Sequence, residues 1–198
     1  MAITGSNMLE LGSKTAAFCL PATDGLYVKL SDFAQAKGVV VAFICNHCPY
    51  VIHIAPQLAK VAREYQQKGI TFVAINSNDT HQYPEDDMAH MREEKSRRNY
   101  PFVYLLDEDQ SVAKAYSAAC TPDFYLFDGE QTLVYRGQFD GSRPRRISSG
   151  NYDSSEHQAS GEDLVNAMDA LLAHQQISTE QTPSMGCNIK WIPGNEPK

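Results

Sequence analysis

The chain has 198 residues, 42% of them hydrophobic and 21% charged, which suits one domain with a sizeable core. A formal net charge of -7 without a long basic run argues against nucleic acid and membrane surfaces as partners. No stretch approaches the roughly 18 apolar residues of a membrane span.

A polar start leads into a short apolar run at 16–20, a turn cluster at 21–25 and an alternating run at 26–30, which together read as a hairpin. Ser31 and Asp32 suit the cap of one helical turn. The β-branched run 38–44 fits a strand buried on both faces. Val51, Ile54, Leu58, Val61 and Tyr65 recur at helical spacing, with Pro56 expected to kink the helix and Gly69 to end it. A second buried strand covers 70–75. A helix over 84–98 follows, acidic at its start and basic at its end. Residues 102–106 read as a strand, 110–118 as a short helix, and 123–128 with 132–137 as an antiparallel hairpin turning at Asp128 and Gly129. Leu164, Val165, Met168, Leu171 and Leu172 stripe a last helix that starts at Gly161. Residues 140–160 and 175–198 carry no clear pattern.

This order predicts an α/β fold: a mixed central sheet flanked by helices, with an N-terminal hairpin and functional residues at strand C-terminal ends. The whole of 1–198 reads as one domain with a core of about 11–174. The tail 175–198 is expected to dock through Ile189, Trp191 and Ile192.

Five cysteines, an odd number, speak against a disulfide scaffold and for a reducing compartment with a few working thiols. The opening MAITGSNMLELGSKTAAF also lacks the order of a secretory signal. A cytoplasmic location is therefore expected. Cys45-Asn46-His47-Cys48 lies between a strand and an amphipathic helix. That spacing predicts both sulfurs on the first helical turn, where unpaired N–H groups and the helix dipole favour a thiolate. Cys45 is the expected exposed nucleophile, its pKa lowered by roughly one unit or more. Cys48 is expected to point inward and resolve the mixed disulfide. A protonated His47 would add positive charge beside the thiolate.

A zinc site would need two further Cys or His ligands. There is no second CxxC, and His53, His81, His90 and His157 are scattered, so no metal is expected. Cys120 reads as a small buried hydrophobe or an auxiliary thiol, and Cys19, between Phe18 and Leu20, as structural. Cys187 reads as a distal resolving thiol or an exposed bystander. Arg143, Arg145 and Arg146 read as a solvated loop.

Phe18-Cys19-Leu20-Pro21 with Leu30-Ser31-Asp32-Phe33 resembles the opening of the alkyl hydroperoxide reductase/thiol-specific antioxidant (redoxin) family. Cys45-Asn46-His47-Cys48-Pro49, Cys120-Thr121-Pro122 and Gly186-Cys187-Asn188-Ile189-Lys190-Trp191 resemble its peroxiredoxin-like branch with a CxxC motif. The resemblance implies a thioredoxin fold and cofactor-free thiol redox chemistry on protein or small-molecule disulfides. It also implies hydroperoxides as a second substrate class and a thiol reductant such as a thioredoxin or glutathione. In that fold a cis-proline faces the CxxC, so Thr121 and Pro122 are candidate substrate-binding residues beside His47.

The departures are specific. Aligned on Cys48, the threonine of a true peroxiredoxin is Cys45, its proline is Val41, and its arginine has no counterpart beside Pro122. A hydroperoxide would then be poorly oriented. The leading reading is a thiol-disulfide oxidoreductase. A thiol peroxidase acting through Cys48 and a copper- or zinc-binding protein are the alternatives.

Overall fold

The run 38–44 divides its side chains between two cores. Val40, Ala42 and Ile44 enter one, and Val39, Val41 and Phe43 enter the other, all of them buried. A strand covered on both faces can be apolar throughout, which is why this run lacks alternation.

The computed structural model describes residues 3–156 and 158–196. Its elements are β1 (Ile3–Gly5), β2 (Cys19–Pro21), β3 (Tyr27–Lys29), β4 (Gly38–Phe43), α1 (Pro49–Lys68), β5 (Ile70–Asn76), α2 (Met88–Arg98), β6 (Val103–Leu106) and α3 (Ser111–Ala115). They continue with β7 (Cys120–Thr121), β8 (Asp123–Asp128), β9 (Leu133–Gly137), β10 (Arg145–Ser148), β11 (Asn151–Asp153), α4 (Glu162–Leu172) and β12 (Met185–Asn188). The main sheet has the order β6-β5-β4-β8-β9. β4, β5 and β6 run parallel, and β8 and β9 join antiparallel, so the sheet is mixed. β2 and β3 form the N-terminal hairpin. A separate small sheet, β1-β12-β7, brings both ends of the chain to the residues just before Pro122.

Helices α1, α2 and α4 supply Ile54, Leu58, Met91, Leu164 and Met168 to one core. The other core holds Val112 and Ala113 of α3, with Phe18 and Leu20 from the hairpin. No helix among the described residues is long and apolar enough to cross a membrane.

Several elements differ from the sequence expectation. The helix expected over 84–98 is a 3-10 turn at Pro84–Asp86 followed by α2. The break arises because Asp87 takes the N-cap, its carboxylate accepting from the His90 amide at 2.9 Å, while Asp86 turns into the interior. α3 is shorter than expected because Gln110 (φ 62°) and Ser117 (φ 52°) are left-handed and bracket it. The β8–β9 connection is residues 129–132, one longer than expected, since Asp128 Oδ1 accepts from the amides of both Glu130 and Thr132. The unassigned stretch 140–160 contains the β10–β11 hairpin. α1 runs unbroken for 20 residues through Pro56. Cys19 is exposed: burying Phe18 and Leu20 on one side turns the residue between them to solvent. His157 lies outside the described residues.

Candidate active site

Pro49 occupies the first helical position of α1, where its fixed φ suits the turn and its missing N–H leaves no donor unpaired. Cys48 is therefore the N-cap residue, and Cys45 lies in the turn between β4 and α1, outside the helix. This corrects the expectation of two sulfurs on one helical turn with Cys45 exposed. Cys45 is 2% exposed and Cys48 fully buried.

Thr121 joins the two thiols. Cys45 Sγ lies 3.4 Å from Thr121 Oγ1, and Cys48 Sγ donates to the Thr121 carbonyl at 3.1 Å. The peptide bond from Thr121 to Pro122 is cis. Cys187 enters from β12, opposite Thr121 in the antiparallel register, and its side chain is among the groups that favour the ionised form of Cys48. Three sulfurs thus meet at one residue. Cys120 is buried beside them but turns toward the carbonyls of Pro122 and Ser184, at 3.7 and 3.9 Å. Burial raises its pKa.

The electrostatics also reverse the expected roles. Burial, the hydrogen bond to Cys48 and the charge of Asp86 hold the Cys45 pKa well above that of an ordinary thiol. Burial pushes Cys48 up as well, but hydrogen bonds from the Cys187 and Cys45 thiols, with the Cys187 and Val51 amides facing it, outweigh that and hold it well below. Cys48 donates to Thr121 only while protonated. Once ionised, it accepts from its two neighbours. The cluster titrates as a unit, with the first proton leaving Cys48.

A second layer of polar groups surrounds the motif. Asp86, fully buried, accepts from the Asn46 amide at 2.8 Å and from Asn78 Nδ2 at 2.7 Å. His47 Nδ1 lies 2.7 Å from Asp86 Oδ2, the oxygen that Asn78 also reaches, and the His47 ring stacks on Tyr83. Burial opposes charge on His47, yet Asp86 and then Glu85 raise its pKa above 6.5. Tyr104 donates to Asn46 Oδ1 at 3.0 Å. Cys45, His47 and Asp86 place ligand atoms within 4.8 Å of one another, the one group among the described residues that could hold a metal ion. Three unlike donors fall short of the four that close a structural zinc site. Of the basic cluster, Arg145 and Arg146 are exposed. Arg143 is not a solvated residue: it is half-buried, donates to Gln138 and the Asp140 carbonyl, and borders a small cleft with Pro122.

This arrangement can be set beside known proteins. The family model described as AhpC/TSA family matches residues 11–136, more than half of the chain. The chain belongs to the AhpC/TSA family. A curated relative of this AhpC/TSA chain is the thiol-disulfide oxidoreductase ResA of Halalkalibacterium halodurans. It is 25% identical over 133 residues, covering 66% of the chain and 71% of that protein. An uncharacterized conserved protein from Geobacillus kaustophilus superposes with a TM-score of 0.91 at 46% identity over 98% of both chains. The thioredoxin domain of a thiol-disulfide oxidoreductase from Bacteroides vulgatus matches at TM-score 0.56 and 22% identity, covering 65% of this chain and 88% of that one. The fold of this family member is thus the thioredoxin fold.

The sequence did not reveal Asp86, Asn46 and Tyr104 as parts of this site. Asp86 was concealed among the acidic residues of a helix start. A signal existed in Asn46 and His47, whose amide and imidazole lie between the two cysteines and need partners wherever the chain buries them.

Proposed function

We propose that this chain is a thiol-disulfide oxidoreductase whose working pair is Cys45 and Cys48, acting on protein or small-molecule disulfides. The observation that carries the reading is the pair of thiols joined by Thr121 at the N-terminus of a 20-residue helix, in surroundings that lower the pKa of one and raise that of the other. That division of ionisation suits two successive displacements. The Cys48 thiolate attacks one sulfur of a disulfide RSSR′ and expels R′S⁻, leaving Cys48–S–S–R. Cys45 then loses its proton and attacks Cys48 Sγ, expelling RS⁻ and closing the Cys45–Cys48 disulfide. The two thiol protons pass to the two leaving thiolates, and an external thiol reductant returns the pair to its starting state. Above its raised pKa, the neutral imidazole of His47 beside Cys45 suits the role of acceptor for the second proton. Both sulfurs are buried, so attack requires a local opening over the site.

Reduction of insulin disulfides at the expense of dithiothreitol tests the proposal. Cys45→Ser and Cys48→Ser should each lower turnover by about 100-fold or more. Wild-type rates in both variants would refute it. Stopped-flow mixing with hydrogen peroxide separates the peroxidase alternative, which requires rapid sulfenate formation on Cys48.

A further inference from the structure

We infer that Cys187 is a third redox thiol of this centre, and that the C-terminal strand carries it there to form a disulfide with Cys48. The inference rests on the working roles proposed for Cys45 and Cys48, and extends them. Its basis is a placement that chain order does not suggest, since 139 residues separate the two cysteines (187 less 48). Thr121 contacts both working thiols, its hydroxyl 3.4 Å from Cys45 Sγ, and Cys187 is brought opposite that same residue. β12 runs antiparallel to β7 with Cys187 opposite Thr121, whose carbonyl lies 3.1 Å from Cys48 Sγ.

The strand is seated closely and held on both sides. A Cβ at Gly186 would lie 1.9 Å from the Thr121 carbonyl oxygen, so only glycine permits this approach. Before it, the Ser184 carbonyl accepts from the Ser6 amide at 2.9 Å, and Ser184 Oγ donates to the Gly137 carbonyl at 2.7 Å. After it, the Lys190 amide donates to Asn78 Oδ1, and the Lys190 carbonyl accepts from Asp79 and Gln110, all at 2.8 Å. Cys187 is 2% exposed. A bystander thiol on a tail would not require a glycine and two buried anchors to hold it against Cys48.

The chemistry balances without any new oxidant. From the mixed disulfide Cys48–S–S–R, the Cys187 sulfur attacks Cys48 Sγ. The Cys48–Cys187 bond forms, the bond to R breaks, and the Cys187 proton leaves with RS⁻ as RSH. Attack by Cys45 on Cys48 Sγ then moves the disulfide to Cys45–Cys48 and returns Cys187 to the thiol. Cys48 is the sulfur common to both steps.

The test uses the full chain, reduced, oxidised with glutathione disulfide, blocked with iodoacetamide and digested with trypsin. Cys45 and Cys48 share the tryptic peptide 38–60, and Cys187 lies in 147–190, so the two disulfides are distinguishable by mass. Cys45→Ser should yield the 38–60/147–190 cross-link. Adding Cys187→Ser should abolish it and prolong the glutathione adduct on Cys48 by roughly tenfold or more. Gly186→Ala should keep the disulfide within 38–60 when every cysteine is in place, and should lose the cross-link when added to Cys45→Ser. An equally persistent adduct in the single and double variants, with no cross-link, would overturn the role of Cys187. If the wild type still closed the bond within 38–60, the function proposed for Cys45 and Cys48 would survive that result. A wild type that formed neither disulfide would overturn both.

Discussion

At the scale of single residues, burial decides which groups are chemically unusual. Asp123, fully buried next to Pro122, accepts from Ser6 Oγ at 3.0 Å and Tyr125 Oη at 2.9 Å. These bonds offset only part of its desolvation, and its pKa is pushed up to about 7. A folded-state pKa above the unfolded 3.8 means that the folded chain holds this proton more tightly. Its contribution to stability is full below the unfolded value and is lost as pH rises toward 7, a swing of roughly 4 kcal/mol. Asp123→Asn, similar in size and uncharged, should therefore be more stabilising relative to wild type at pH 8 than at pH 5, as read by urea unfolding. An equal difference at both values would show that Asp123 is already ionised in the fold. Thiolate absorbance supplies a second check. The first titration step of the reduced protein should fall well below the 9.0 of an ordinary thiol and move upward in Cys48→Ser.

At the scale of elements, α1 links core and site. Its apolar face settles on the sheet, and that seating fixes where Cys48 begins the helix. Leu58, fully buried in the middle of the helix, should cost about 3 kcal/mol on replacement by alanine, measured as a lower urea midpoint at unchanged slope. The spacing of Ile54, Leu58 and Tyr65 made this helix legible, because helical periodicity is a local property of the chain. The same reasoning failed at residues 84–87. Propensity and charge favour a helix there, but the buried Asp86 has more to gain from Asn46, Asn78 and His47 than from a place in the first turn. Similarly, local pattern places Gln110 in a helix, whereas its side chain donates to the carbonyls of Ser77 and Lys190, distant in sequence.

At the scale of the whole molecule, the mixed sheet holds two cores apart and leaves its central strand, β4, pointing its C-terminal end at the thiols. The small sheet then folds both chain ends over that end of β4. β1 pairs with β12, and β12 with β7, so the segment bearing Gly186 and Cys187 closes on Thr121. The last strand thus brings the buried Cys187 to the residue that both Cys45 and Cys48 contact.

The sequence by itself determined the alternation of strands and helices, the two-faced burial of 38–44 and the position of a CxxC at a strand-to-helix junction. Each of these is written in local periodicity and in the identities of adjacent residues. Only the tertiary structure decided that Cys45 is buried, that Cys48 holds the lowered pKa, and that Asp86, Thr121 and Cys187 surround them. Ionisation in a protein interior depends on which donors and charges lie within a few ångströms. Here those partners arrive from 38 to 139 residues further along the chain, counting from Cys48 to Asp86 and to Cys187, and no local pattern encodes such pairings.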